Sequence, residues 1–170
     1  MLGQDNPREG LSRREQMIWL ACAIDGEGHI CIEKANPSGK YKRFRYWPIV
    51  SISNTNPVFL LKAKAIFDAP IYPTRKQDEH RKAQWHWQAS TRRALLIITE
   101  VRPFLDLKGP QADAVIEYMA GISSKNKGVR LTDEEMTRRE HFYLMLRKMN
   151  AKGPPATTER EGTSNGDATV

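Results

Sequence analysis

The chain begins with an arrangement of apolar and polar residues that is typical of a capped helix. Residues 12–24 predict a helix in which Ser12 is the N-cap and Glu15, three residues later, completes a capping box. Apolar residues dominate its second half. We expect the Asp-Gly-Glu-Gly run at 25–28 to end this helix, because glycine accepts the left-handed backbone that often follows a helix.

Two pairs of strands are predicted by alternation and by the frequency of aromatic and β-branched residues. Residues 29–34 alternate, and residues 42–53 form a second strand after a turn at 36–39. Residues 71–75 and 84–89 form another pair around a charged loop. Strands that follow one another as hairpins predict an antiparallel sheet, which can leave one face open to solvent.

Further helices are predicted at 57–67, from 91 to about 101, at 109–122 and at 133–149. The order is therefore αββαββα followed by two C-terminal helices, which predicts an α+β fold.

The length of 170 residues fits one domain. We expect this domain at 12–150, after a flexible segment at 1–11 and before a disordered tail at 151–170, where large apolar residues are almost absent.

Charge and composition narrow the class of protein. Lys and Arg number 27 and Asp and Glu number 20, so the net charge is +7. This excess favours nucleic acid as a partner, although a basic enzyme surface would give the same sum. The sequence shows no membrane span and no secretory signal, and two cysteines are too few for a disulfide framework. We therefore expect an intracellular protein in the cytoplasm or nucleoid, without a membrane partner.

Two segments carry a family resemblance. Residues 20–28, Leu-Ala-Cys-Ala-Ile-Asp-Gly-Glu-Gly, resemble the LAGLIDADG motif of homing endonucleases, with Cys22, Ala23 and Glu27 as the departures from it. Residues 102–108, followed by a Gln-Ala pair, resemble the PFL-x-L-K-x-x-QA segment of that family. The resemblance implies an αββαββα fold with a saddle-shaped antiparallel sheet that carries helices on one face.

The acidic end of the first helix has a chemistry of its own. Asp25 and Glu27 stand where a helix carries partial negative charge, an unfavourable place unless a cation lies there. The carboxylate of Glu27, the carbonyl of Gly26 and a DNA phosphate would suit Mg²⁺ or Mn²⁺. The motif alone could equally be a solvated acidic turn, but the second segment and the element order favour the cation site.

The resemblance also implies residue roles. Glu27 would be the direct metal ligand, Gly26 would lend its carbonyl, and Asp25 would mainly accept backbone N–H bonds. The ammonium of Lys108 would stabilise charge that develops on the phosphate. Asn54 would orient a water molecule or cap the helix at 57–67. The family often has a basic residue where Val58 stands, so that role is missing or belongs to Lys62 or Arg43.

One acidic motif per chain is too little for a site that clamps both the attacking and the leaving oxygen. Ile18, Cys22 and Gly26 recur every four residues on one stripe of the first helix, and small residues allow two helices to approach closely. The stripe therefore predicts a homodimer interface, unless it packs on the core of its own chain.

The two hairpins predict a DNA-reading surface, since a two-stranded ribbon fits the major groove. A solvated polar sheet face is the plain alternative. Outward positions at strands, strand ends and loops are His29, Cys31, Glu33, Lys40, Lys42, Arg43, Arg45, Trp47, Ser51, Arg75, Lys76, Arg81, Lys82, Gln84, His86 and Gln88.

Together these features predict a homodimeric, divalent-metal-dependent endonuclease that cuts both strands of a long pseudo-palindromic DNA site. The alternatives are an intron RNA maturase, with host intron RNA as its partner, and a non-cleaving DNA-binding protein on the same scaffold. The intact pair Glu27 and Lys108 favours the enzyme.

Overall fold

The predicted order of elements is confirmed in the computed structural model, which describes residues 10–39, 42–122 and 131–151. The elements are α1 (Arg13–Glu27), β1 (Gly28–Ala35), β2 (Arg45–Asn54), α2 (Pro57–Ile66), β3 (Ile71–Arg75), β4 (Gln84–Ser90), α3 (Thr91–Val101), α4 (Gly109–Ala120) and α5 (Asp133–Met149), with a 3-10 turn at Arg102–Phe104. Most of the predicted segment at 1–11 and all but the first residue of the tail at 151–170 lie outside the described residues. None of the described helices is long and apolar enough to cross a membrane.

The four strands form one antiparallel sheet in the order β1-β2-β4-β3. All five helices contact its strands. The core lies between the helices and the sheet, and its largest fully buried side chains include Leu20 and Ile24 of α1, Ile52 of β2 and Trp87 of β4. Helices therefore cover one face of the sheet, and we call the other face the open face.

Alternation along the central strand follows the prediction. Tyr46, Pro48, Val50 and Ile52 are buried on the helix side. Ser51 points to the open face but is only 3% exposed, because it lies at the centre of the sheet among larger side chains. The two faces of β2 are thus assigned correctly, although its central residues are less accessible than the pattern suggests.

The end of α1 differs from the prediction. The capping box of Ser12 and Glu15 is present, but the helix continues to Glu27 instead of ending near residue 24. Gly28 then adopts an extended backbone with φ −95°, so no left-handed cap is formed. A Cβ atom at Gly28 would lie 2.6 Å from the Cα of Ile24 and 3.0 Å from the carbonyl oxygen of Ser51. Glycine is needed here for close approach of the backbones.

Polar contacts join α5 to the sheet. The ammonium of Lys34 lies 2.8 Å from the carboxylate of Glu140, and the hydroxyl of Tyr46 donates to the same carboxylate. The ammonium also lies 4.2 Å from the ring centroid of Phe44. At the end of the helix, the amide of Asn150 donates to the carbonyl of Ile30 (2.9 Å) on the edge strand β1. Residues far apart in sequence thus fix α5 against β1.

Candidate functional site

The carboxylate of Asp25 fixes the segment that precedes α4 against the end of α1. It accepts hydrogen bonds from the backbone N–H groups of Asp106 (2.8 Å), Leu107 (3.3 Å) and Lys108 (2.9 Å). The ammonium of Lys108 donates to the carbonyl oxygen of Asp25 in return. These contacts join the two segments that carry the family resemblance, and they are the arrangement that a structural role of Asp25 requires.

Lys108 places a positive charge where α1 passes into β1. Partial desolvation lowers the pKa of His29, and the nearby ammonium of Lys108 lowers it further. His29 lies on the open face, two residues after Glu27. The charge of Lys108 therefore acts at the junction of the acidic helix end and the open face.

Glu27 and Gly26 are exposed at the last turn of α1. Within the described part of the chain, the Glu27 carboxylate has no hydrogen-bond or ion-pair partner. A carboxylate beside helix-terminal carbonyls is a set of hard oxygen donors that suits a divalent cation such as Mg²⁺. No group of three or more His, Cys, Asp or Glu side chains among the described residues could hold a metal ion. One chain thus provides part of a cation site and needs further ligands to complete it.

Asn54 lies at the end of β2, two residues after Ile52, which pairs with Gly28. Its side-chain oxygen accepts from the N–H of Asn56 (2.8 Å). Asn56, not Asn54, is the N-cap of α2, because its own side-chain oxygen accepts from Val58 N–H. The capping alternative for Asn54 is therefore wrong, and within the described residues its amide NH₂ makes no hydrogen bond.

Val58 stands at the place of the family's basic residue, and the described contacts of the two candidate substitutes, Lys62 and Arg43, are with groups other than Glu27. Val58 is 67% exposed and apolar. The ammonium of Lys62 lies 4.5 Å from the ring centroid of Trp19, eight residues before Glu27 in α1. The guanidinium of Arg43 donates to the carbonyl of Leu131 (2.9 Å), which precedes α5.

The stripe on α1 is not packed on the core of its own chain. Cys22 and Gly26 are exposed, and Ile18 is half-buried, whereas the opposite side of the helix supplies the buried residues. A Cβ atom added at Gly26 would meet nothing within 4 Å. Leu107, at the end of the same surface, is 73% exposed. An apolar and small-residue surface therefore stays uncovered in the single chain.

The open face brings together six of the sixteen residues predicted for DNA binding: His29, Cys31, Glu33, Ser51, His86 and Gln88. A groove there is lined by His29, Cys31, Glu33, Ile49, Ser51, Tyr72, Thr74, His86 and Gln88. Arg45 is exposed at the start of β2, with its guanidinium 6.0 Å from the ring of the partly buried Trp47. Burial raises the pKa of the Cys31 thiol to about 12, so this cysteine stays protonated at neutral pH. Lys42 is exposed before β2, and Lys40 lies outside the described residues.

The prediction that Arg43 faces outward on the open face is wrong. The strand begins only at Arg45, so the alternation used for residue 43 does not apply to it. Its guanidinium contacts Asp133 (2.9 Å) as well as the Leu131 carbonyl, at the N-terminal end of α5. Arg43 thus joins the segment before β2 to a helix.

The β3–β4 hairpin uses its arginines and lysines differently. The guanidinium of Arg75 donates to the carbonyl of Lys82 (3.2 and 3.3 Å), and that of Arg81 pairs with Asp78 (2.8 Å). Lys76 and Lys82 are exposed, and their ammonium groups have no hydrogen-bond or ion-pair partner within the described residues. The arginines shape the loop, whereas the lysines extend into solvent.

Sequence reasoning missed Tyr72, which is 37% exposed on the open face. Its hydroxyl donates to the side-chain oxygen of Gln88 (2.7 Å), and its ring lies 5.5 Å from that of His86. Alternation from the inward Ile71 would have placed Tyr72 on this face, but Pro73 and the short strand weaken that pattern.

In the structure, the acidic end of α1 passes directly into a four-stranded antiparallel sheet with helices on one face, which is the arrangement that the LAGLIDADG resemblance predicts. No protein-family model and no curated protein matches the chain. Solved structures do match it over most of its length. The archaeal intron-encoded homing endonuclease I-Vdi141I, complexed with DNA, aligns with a TM-score of 0.67 and 16% identity over 85% of this chain and 90% of that one.

Two other homing endonucleases show the same likeness. I-CvuI, in complex with the I-CreI target, aligns with a TM-score of 0.66 and 15% identity over 84% of this chain and 87% of that one. The LAGLIDADG homing endonuclease I-SmaMI, bound to cleaved DNA, gives a TM-score of 0.61 and 13% identity over 79% of this chain but only 45% of its own. The protein therefore has the fold of LAGLIDADG homing endonucleases.

Proposed function

We propose that this protein is a site-specific DNA endonuclease of the homing type. The observation that carries the proposal is Glu27, an exposed carboxylate in the last turn of α1, two residues after Asp25, which binds both the backbone and the ammonium of Lys108. This end of α1 passes directly into β1, on the sheet whose open face is lined with polar side chains. The structural neighbours bound to target DNA support the same activity.

A divalent cation, Mg²⁺ or Mn²⁺, is the proposed cofactor. Glu27 and the carbonyl of Gly26 would hold it, because both offer oxygen ligands at one exposed point. When bound, such an ion stabilises charge on a phosphodiester group and lowers the pKa of a water molecule. I-CvuI was solved with the I-CreI target in 2 mM Mg, where the DNA was not cleaved, and with its own target in 2 mM Ca, so divalent ions accompany DNA complexes of this fold.

The residues around Glu27 have separate tasks in this proposal. Lys108 would bring its positive charge towards the scissile phosphate and stabilise the charge that develops there. Asn54, whose NH₂ group is available, would orient a water molecule by hydrogen bonding. Asp25 is a positioning residue, since its carboxylate is occupied by three backbone donors that set the place of Lys108.

Two copies of the chain would form the active enzyme. Each copy supplies one Glu27, and the exposed stripe of Ile18, Cys22 and Gly26 ends at that residue. Two such stripes in contact would set two acidic ends side by side. The lengths of the neighbours agree with this arrangement, because the shared unit spans 87% of the I-CvuI chain but 45% of the I-SmaMI chain, which has room for two units.

The partner would be a long pseudo-palindromic duplex that matches the twofold symmetry of the dimer. The open face supplies side chains for base edges, and exposed lysines at its margin would contact phosphates. The net charge of +7 per chain supports binding to a polyanion.

A cleavage selection tests this proposal. A plasmid library with randomised pseudo-palindromic inserts is incubated with the protein and Mg²⁺ or Mn²⁺, and the linearised plasmids are sequenced. We expect linear products that carry a restricted set of inserts. Sequence-selective binding without cleavage in either metal would instead indicate a non-cleaving DNA-binding protein. Binding to intron RNA alone would indicate a maturase.

A further inference from the structure

Glu33 places an acidic side chain on the open face of a basic protein. It is exposed on β1, on the same face as His29 and Cys31. Among the described residues that line the groove on this face, Glu33 is the one acid. Burial lowers the pKa of His29 and of His86 and raises the pKa of the Cys31 thiol to about 12, so these neighbours are largely neutral at pH 7. The groove therefore presents one carboxylate among neutral side chains.

The carboxylate of Glu33 is available to a ligand. Within the described part of the chain it makes no hydrogen bond and no ion pair, although Arg147 of α5 lines an adjoining groove with it. The ammonium of Lys34, the next residue along the strand, is bound to Glu140 instead. The described contacts of these two neighbouring cations thus leave the charge of Glu33 unpaired.

A carboxylate on this face opposes DNA binding unless it contacts a base, because like charges brought together at an interface disfavour association. An ionised carboxylate has acceptor oxygens and no donor. In the major groove, cytosine offers its N4 amino group as a donor, whereas guanine offers the acceptors N7 and O6 and thymine offers the acceptor O4. Adenine offers an amino group beside the acceptor N7, which repels the second carboxylate oxygen. Cytosine is therefore the base that suits a carboxylate best.

We infer that Glu33 is a specificity-determining residue that accepts a hydrogen bond from N4 of cytosine and rejects guanine and thymine at one position of each half-site. This inference rests on the proposed function. Rejection follows from the same chemistry as selection, since a base edge that offers only acceptors leaves the carboxylate desolvated and without a partner.

The strand gives the place of the contact. Glu33 follows Gly28, where β1 leaves the acidic end of α1, by five residues. At about 3.4 Å per residue in an antiparallel strand, this separates the two residues by about 17 Å. A base pair occupies about 3.4 Å of the DNA axis, so a strand that lies along the major groove would carry Glu33 about five base pairs outward from the bonds that are cut. The cytosine is thus expected away from the inner end of each half-site.

Binding selection on a randomised pseudo-palindromic duplex library tests the inference. The wild-type protein is expected to favour cytosine over guanine by about tenfold or more at one position per half-site. Glu33→Gln keeps the size of the side chain but adds a donor, so adenine should become the preferred base there. Glu33→Ala should reduce the preference for cytosine over guanine to about twofold or less, because sites with guanine bind more tightly once the carboxylate is gone.

The control is Glu79→Gln, the same change at an exposed carboxylate in the loop between β3 and β4. It removes the same charge near the same face and should leave every base preference unchanged. An equal change of preference in Glu79→Gln would show that only the net charge matters and would overturn the inference. A wild-type preference for guanine or thymine at the position that the Glu33 substitutions affect would overturn it as well.

The same selection separates the inference from the proposed function. If the wild type selects sequences but Glu33→Gln and Glu33→Ala both leave every base preference unchanged, the inference is wrong and the proposed function stands. If the wild-type protein selects no sequence at all, both are overturned. Thermal melting of each variant confirms that it is folded.

Discussion

Gly26 and Gly28 lie two residues apart at the end of α1, but their surroundings are opposite. A side chain at Gly28 would collide with the backbone of Ile24 and come within 3.0 Å of the Ser51 carbonyl. A side chain at Gly26 would meet nothing within 4 Å in the single chain. The fold requires glycine at position 28, whereas nothing in the described single chain requires it at position 26, where the proposed dimer interface would.

Alanine at these two positions should separate folding from dimer formation. Gly28→Ala should lower the free energy of unfolding by about 1–3 kcal/mol, because the added methyl group overlaps backbone atoms that cannot move freely. Gly26→Ala should leave the stability of the chain unchanged or raise it by up to about 1 kcal/mol, since alanine is the better helix former. It should nevertheless weaken the dimer and reduce cleavage. Denaturant unfolding and sedimentation measure the two effects, and a Gly26→Ala protein that dimerises as well as the wild type would contradict the proposed interface.

Single residues also show which contacts could not be predicted from the sequence. The motif identified Asp25, Glu27 and Lys108, because their types and spacing are specific. It could not show that three backbone N–H groups from residues 106–108 fill the Asp25 carboxylate, since that contact joins segments about eighty residues apart. Tyr72 was missed for a similar reason, because its partner Gln88 lies on the neighbouring strand.

Among the elements, the β3–β4 hairpin gives the clearest distinction between residues that shape a loop and residues that can contact DNA. Arg75 and Arg81 bond within the hairpin, whereas Lys76 and Lys82 extend into solvent. Replacing Lys76 or Lys82 by Ala should weaken binding to all DNA sequences alike and lower the salt slope by about 0.9 per lost contact, twice that in a dimer. Affinities at several salt concentrations measure this. A changed base preference in Lys76→Ala or Lys82→Ala would contradict the phosphate role.

The attachment of α5 to β1 predicts a dependence of stability on pH. Hydrogen bonds from Lys34 and Tyr46 hold the pKa of Glu140 below its usual range. A carboxylate with a lowered pKa in the folded state contributes stability above its unfolded pKa of about 4.3, and this contribution is lost as the pH falls through the folded value. The melting temperature of Glu140→Gln should therefore be lower than that of the wild type at pH 7, and the difference should shrink below about pH 4. A difference that stays constant down to pH 2 would contradict this role of Glu140.

The elements themselves were predictable because their signals are local. Capping residues, alternation and turn residues predicted every helix and strand that the structure describes, with end points shifted by a few residues. The end of α1 and the start of β2 each shift by three residues. In α1, residues 25–27 continue the helix because Gly28, not Gly26, meets the sheet. The position of Arg43 was predicted wrongly because the alternation was extended to residues that precede β2. In that segment the guanidinium of Arg43 contacts the carbonyl of Leu131, which precedes α5, and the carboxylate of Asp133, at the start of α5.

At the scale of the whole molecule, the features proposed to be functional lie on two connected surfaces. The exposed stripe of α1 ends at Glu27, and the open face begins at His29 on the next strand. Two copies joined along the stripe would thus present two acidic ends between two open faces. The proposed dimer would explain why an apolar helix surface remains uncovered in the described single chain, and it would bring two acidic motifs together.

Cleavage by a Glu27→Gln variant is the most direct measurement of whether the end of α1 carries the chemistry. The substitution keeps the size of the side chain and removes the negative charge that would hold the cation. A plasmid with the selected target should be linearised by the wild type in Mg²⁺, and by Glu117→Gln, a matched change at another exposed helix carboxylate, on α4 and outside the predicted DNA surface. Glu27→Gln should bind this DNA as tightly as the wild type, or more tightly, and leave it uncut. Cleavage by Glu27→Gln within about tenfold of the wild-type rate, a loss of less than about 1.4 kcal/mol of transition-state stabilisation, would contradict the assignment.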